Sequence, residues 1–183
     1  MDMGYEAYQK ILSEAMEELG VETGMKSRGS GDTYSNDCTV ETDQIAMIPD
    51  SYIDITAEKI RIYKQLDNLS RDKDIEAFRG SLVDRFGDLP PETDNLFDVL
   101  KIRNLGGHLG FEKVIIKNGM MILFFISNPM SPYFKTKVFS NILAKVGEND
   151  KLFNLKQTEG KLKIVSRGID SLPAALSTLR RLT

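Results

Sequence analysis

The chain has 183 residues, of which 41% are hydrophobic and 28% charged, the balance of a globular protein rather than a disordered one. No unbroken apolar run is long enough to cross a bilayer, and the lone Cys38 excludes an intrachain disulfide framework. Cys38 with the lone His108 is also too little for a usual zinc site. The formal net charge of −3 conceals a split: residues 1–98 carry 10 Lys/Arg against 22 Asp/Glu, and residues 99–183 carry 14 against 5, so an acidic half at −12 is joined to a basic half at +9.

Tyr5, Tyr8, Leu12, Ala15, Met16 and Leu19 recur at three- and four-residue steps and predict an amphipathic helix over 1–19. Residues 20–36 hold Gly20, Gly24, Gly29 and Gly31 among Ser, Thr and Asp, which reads as a flexible linker. The domain proper is expected over 37–183. It begins with a strand over Cys38–Ile48, whose alternation breaks at Gln44 and Ile45, as a bulge would do, and which Pro49 ends.

Three helices are expected next. The first runs from Thr56 to Leu69 with Ile60, Tyr63 and Leu66 inward. The second runs from Asp72 to Phe86 with Ile75, Phe78, Leu82 and Phe86 on one stripe. The third starts at Pro90-Pro91 and stops at Gly106-Gly107; its apolar residues go most of the way round, so it should be the most buried.

The basic half reads as two hairpins, each followed by a helix. Val114–Ile116 and Met120–Ile126 flank Asn118-Gly119, the residues of a type I′ turn. Ser131-Pro132 opens a helix carrying Phe134, Val138, Ile142 and Val146, closed by Gly147. Leu152–Gln157 and Leu162–Ser166 pair around Glu159-Gly160 with Phe153, Leu155, Leu162 and Ile164 inward. Asp170 then caps a last helix with Leu172, Leu176 and Leu179. The fold class is α+β: a helical N-terminal half, then an antiparallel sheet of two hairpins in the order ββαββα, covered on one face by helices.

Catalytic spacings fail one after another. No G-x-x-x-x-G-K-[ST] loop is present, and Gly29-Ser30-Gly31 lacks the third glycine of a dinucleotide fingerprint. Ser70-Arg71-Asp72-Lys73 fits S-x-x-K, but its S-D-N and K-T-G partners are missing, and a helix start accounts for it. His108 has no partner that the sequence can place, and Cys38 has no basic neighbour to make it a thiolate. The chain is not expected to be an enzyme or to hold a metal or cofactor. With no basic-then-apolar leader at its start, a reducing, cytoplasmic setting is expected, with no membrane attachment.

Asp84-Arg85-Phe86-Gly87-Asp88-Leu89-Pro90 is more informative. At 100° per residue Phe86 joins the core stripe, Gly87 closes the helix and Asp84 points away. Asp84 and Arg85 then belong either to a solvated face or to a polar docking surface, where a charge pair sets register more than affinity.

At these residues the chain resembles a known family. Ile48-Pro49-Asp50-Ser51-Tyr52-Ile53, then Arg61 and Tyr63-Lys64, then Asp84-Arg85-Phe86-Gly87 with Leu89-Pro90, then Asn95-Leu96 and Ile102-Arg103 resemble, in order, the C-terminal domain of the transcription-repair coupling factors. Gly4–Leu12 is similar to the segment that joins the motor of those proteins to that domain, so the likeness runs through essentially the whole chain. It implies a large ATP-driven translocase on double-stranded DNA that displaces stalled RNA polymerase and recruits UvrA, with ATP and Mg²⁺ bound upstream of this region.

The domain itself is implied to be regulatory, folding back on the protein's own N-terminal UvrB-like module and covering its UvrA-binding surface. The resemblance places Asp84, Arg85, Ser81 and Asp88 at that contact, with Ser81 standing where many members carry a second acid. A second expectation, of another class, is that the basic half binds nucleic acid. Its candidate contacts are Lys161, Lys163, Arg167, Arg180 and Arg181, with Lys135, Lys137, Lys145, Lys151 and Lys156.

Overall fold

A computed structural model describes residues 38–183; the helix and linker expected over 1–36 lie outside the described residues. The described chain forms two compact units, Ile45–Leu100 and the combination of 38–44 with Lys101–Thr183.

The first unit is helical. It contains α1 (Thr56–Asp67), α2 (Asp72–Phe86) and the first part of α3 (Pro91–Leu109). On α1 the buried stripe is Lys59, Ile62, Tyr63 and Leu66, turned slightly from the expected one: Ile62 goes inward and Ile60 is only half-buried. The turn follows from Lys59, whose stem is buried while its ammonium pairs with Asp50. On α2 Ile75 and Leu82 are fully buried, and Phe78 and Phe86 pack against the same core. The core also holds Ile48, Ile53, Leu96, Phe97 and Leu100, and the Tyr63 hydroxyl accepts the buried Ile48 N–H at 2.8 Å.

Helix α3 is the most buried, as its all-round apolarity requires, but it does not stop at Gly106-Gly107. It runs to Leu109, and Gly110, at φ +89°, supplies the left-handed residue that ends it. Gly106 serves packing instead: a Cβ there would lie 2.9 Å from Cys38 Sγ and 3.4 Å from Val114 Cγ2.

The second unit is a sheet with helices. Its strands are β1 (Thr39–Thr42), β2 (Phe111–Lys117), β3 (Met120–Phe125), β4 (Phe153–Thr158) and β5 (Lys161–Arg167), in the order β1-β2-β3-β5-β4. Both expected hairpins are present, with Asn118-Gly119 and Glu159-Gly160 all at positive φ. The hairpins join through antiparallel β3 and β5, whereas β1 pairs parallel with β2 and makes the sheet mixed. β1 is shorter than the expected strand: the chain bends at Asp43-Gln44, where Thr42 Oγ1 accepts the Gln44 N–H at 3.1 Å. The phase break in the sequence is therefore the end of the strand, and the sheet's bulge lies between Phe111 and Lys113.

Helix α4 (Lys137–Glu148) is capped by Thr136, and Ser131 caps a separate 3-10 turn, Pro132–Lys135, so the single expected helix is two pieces. Helix α5 (Leu172–Arg180) is capped by Ser171, whose hydroxyl accepts the Ala174 N–H, rather than by Asp170. Burial on β3 alternates strictly, with Met121, Leu123 and Phe125 buried and Met120, Ile122 and Phe124 half-buried. The buried face meets the helices: Val114 of β2 lies against α3 at Gly106, and the Phe125 ring packs on Phe139 of α4 and on Tyr133. Leu155, expected inward, is 43% exposed, because β4 is the sheet edge and only Phe153 of it is covered. Among the described residues no helix is long and apolar enough to cross a membrane.

Candidate functional site

The residues of the run 84–88 are sorted by α2 into distinct jobs. Phe86 turns inward, its ring edge-on to Tyr52 at 5.9 Å between centroids. Gly87 has φ +87° and ψ −170°, a region essentially reserved for glycine. That conformation presents the Gly87 carbonyl to the Tyr52 hydroxyl, which donates to it at 2.8 Å and lies 3.2 Å from the Leu82 carbonyl. Burial, with Asp88 as the next cause, raises the Tyr52 pKa and keeps the hydroxyl a donor.

Two cations of α2 are engaged inside the unit. Arg79 donates through Nε at 3.0 Å and Nη2 at 2.7 Å to Asp94 of α3, and that hydrogen bond raises its pKa. Arg85 reaches Glu58 of α1 at 2.9 Å and lies over the Phe86 ring at 4.9 Å. Asp84 is different. It is exposed and makes no ion pair among the described residues.

Around Asp84 the outer side of α2 carries short side chains. Ala77, Gly80, Ser81 and Asp84 are all exposed at helical spacing, and a Cβ on Gly80 would meet nothing within 4 Å. No packing among the described residues asks for glycine there, and glycine in a helix interior costs about 1 kcal/mol relative to alanine. Ser81 donates its hydroxyl to the Phe78 carbonyl at 2.7 Å and adds no charge. Asp88 is exposed just beyond the helix. The four candidates Ser81, Asp84, Arg85 and Asp88 thus lie together at the end of α2, with Arg85 turned toward Glu58. Glu58, Ala77 and Gly80 join the site only in the structure: the mid-helix glycine on the polar side is a local signal for the small-residue face, whereas nothing in the sequence marks Glu58 as the partner of Arg85.

The basic candidates fall into groups. Lys161, Lys163 and Arg167 alternate along β5 and so share one sheet face, whereas Arg180 and Arg181 lie at the end of α5. His108 is exposed in the last turn of α3. Cys38 is buried, and burial pushes its thiol up to about 12 against the weaker opposing charge of Arg103, so it is not a thiolate at neutral pH. Among the described residues no three His, Cys, Asp or Glu side chains gather as a metal site.

Among the described residues, five α-helices and a mixed five-stranded sheet define an α+β domain of a kind already seen in a crystal structure of the C-terminal domain of transcription-repair coupling factor. The two superpose with a TM-score of 0.67 over 82% of this chain and 93% of that one, at 17% identity, a likeness of fold. The family model described as the TRCF domain matches residues 42–136, more than half of the chain, and the chain belongs to that family.

Similar proteins include the transcription-repair-coupling factors of Rickettsia conorii, 31% identical over 167 residues, and Escherichia coli K12, 26% identical over 114 residues. These matches cover 90% and 61% of this chain but 14% and 10% of the relatives, so the chain spans a small part of their length.

Proposed function

We propose that this chain is the regulatory C-terminal domain of a transcription-repair coupling factor and docks, through the outer face of α2, on the UvrB-like N-terminal module of its own protein. Docked there, it covers the surface that UvrA uses. The parent protein is an ATP-driven translocase on duplex DNA that removes stalled RNA polymerase in the cytoplasm, and its nucleotide site lies upstream. This domain contributes control rather than chemistry.

The observation that carries the reading is the state of Asp84: an exposed carboxylate on a small-residue helix face with no ion pair to satisfy it among the described residues. Arg85 is committed to Glu58, so the free charge of this site is acidic and calls for a basic partner surface. With Ser81 in place of a second acid, the contact relies on Asp84 and Asp88 and is weak and salt-sensitive.

Titration of the chain into the isolated UvrB-like module at low and at high salt tests this. Saturable binding that weakens with salt and is displaced by UvrA supports it. Absence of binding at low salt, or simultaneous binding of UvrA and the chain to the module, contradicts it.

A further inference from the structure

Among the described residues, the sheet of the second unit has a face that the helices do not cover, and its side chains fall into ordered rows. Strand register places Lys113, Phe124, Lys163 and Lys156 side by side across β2, β3, β5 and β4. Four residues further along β2, Lys117, Met120 and Arg167 form a second row. Between them lies an apolar strip, Ile115, Ile122 and Val165, with Asn154 at its edge. Phe124, Ile122 and Ile115 are half-buried, in contrast to the buried residues that alternate with them, so these positions meet solvent, whereas Val165 beside them is itself buried.

The electrostatics of the face are unbalanced. Glu41 of β1 is taken by Lys113 at 2.8 Å and Lys117 at 3.6 Å, and Glu112, at the bulge of β2, accepts the Ser127 N–H at 3.2 Å. Lys113, first by hydrogen bonding, holds the Glu41 carboxyl below its ordinary range. Lys156, Lys161, Lys163 and Arg167 have no ion pair among the described residues. Lys156 and Lys163 stand directly opposite one another, a like-charge cross-strand pair that disfavours the sheet unless an anion lies over it. Lys163 also extends over the Phe124 ring, its ammonium 5.8 Å from the centroid.

We propose that this open face binds single-stranded nucleic acid, with Phe124 and the apolar strip taking base faces and the two basic rows taking phosphates. Phosphate charge alone would be met equally by a duplex or by an acidic protein. The aromatic and aliphatic strip between the rows selects the single strand, because only unpaired bases expose a face to lie on it. DNA and RNA share this chemistry. Binding on this face belongs to the second unit and is independent of the docking of α2.

The 183-residue chain contains no tryptophan, so Phe124→Trp creates a single reporter on the face. Titrating this variant with a fluorescently silent oligothymidylate and with oligouridylate at low salt is expected to quench its emission to saturation, with either polymer or both. Anisotropy with labelled oligomer is expected to show Lys156→Ala/Lys163→Ala binding about tenfold or more weakly than wild type. Its salt dependence should also be shallower, by about 0.7 for each phosphate that the variant no longer neutralises. The same charge removed from the helix side, Lys135→Ala/Lys137→Ala, is expected to change affinity less than twofold. The proposal is overturned by unchanged tryptophan emission at saturating oligomer, or by no binding at low salt. Equal losses from the two double variants, duplex or polyglutamate bound as tightly as the single strand, would also overturn it.

Discussion

Arg85 of α2 and Glu58 of α1 form an ion pair at 2.9 Å, and Glu58 accepts a second guanidinium from Arg61 on its own helix. The pair separates two neighbours that look equivalent in the sequence. Arg85 faces along the unit and is neutralised within it; Asp84, one residue earlier, faces outward. The acidic character of the α2 end is therefore a consequence of where its arginine goes.

Arg85→Ala is expected to cost little. The Arg85 side chain is 58% exposed, and exposed pairs contribute about 1 kcal/mol or less, with a small addition from the Phe86 ring beneath it. Urea denaturation checks this; a loss above about 2 kcal/mol would show that the pair holds the helices together rather than directing charge.

Tyr63→Phe is expected to cost about 1–3 kcal/mol although the ring stays, because the buried Ile48 N–H loses its acceptor. Thermal denaturation of the two proteins measures it. A neutral result would mean that the amide finds another acceptor in the variant.

Gly106→Ala tests the close approach of α3 to Cys38. The added methyl would sit 2.9 Å from Sγ, and overpacking of this kind costs about 1–3 kcal/mol. Cys38→Ala removes that sulfur, so the double variant is expected to be more stable than the sum of the single losses predicts. Additive losses would place the strain at Val114 instead.

The Cys38 thiol gives a pH signature. Its ordinary value of 9.0 is raised to about 12 by burial, so the unfolded chain loses the proton first as pH rises. Its contribution to stability is fully present below pH 9 and is lost between about 9 and 12. Comparing wild type with Cys38→Ala by denaturation across that range isolates the effect: their difference is expected to be flat below it and to shrink within it. The same burial predicts negligible modification of the native thiol by an alkylating reagent at pH 8, and rapid modification once the chain is unfolded.

What was legible in the sequence was what local physics decides alone. The bounds of α2 follow from its apolar stripe and from Gly87, and both hairpin turns from Asn118-Gly119 and Glu159-Gly160. What was not legible depended on distant partners. Gly106-Gly107 looks like a stop until Cys38 is known to lie against it, and nothing local says that β1 runs parallel to β2. Lys59 joins the core stripe of α1 because Asp50 meets its ammonium, which periodicity does not reveal. At the site, the outward direction of Asp84 followed from helical geometry, whereas the engagement of Arg85 with Glu58 needed the packing of two helices. The basic half read as scattered lysines; register shows that Lys113, Lys163 and Lys156 stand in one row with Phe124.

Reversing the charge of Asp84 is the most direct test of the proposed docking on the N-terminal module. Isothermal titration of the UvrB-like module with wild-type chain and with Asp84→Lys, at one low salt concentration, compares them under conditions where folding is unaffected, since an exposed helix position tolerates lysine. The expected result is at least tenfold weaker binding by Asp84→Lys, with the difference narrowing as salt is raised. Equal affinities for the two proteins would contradict the account and remove Asp84 from the interface.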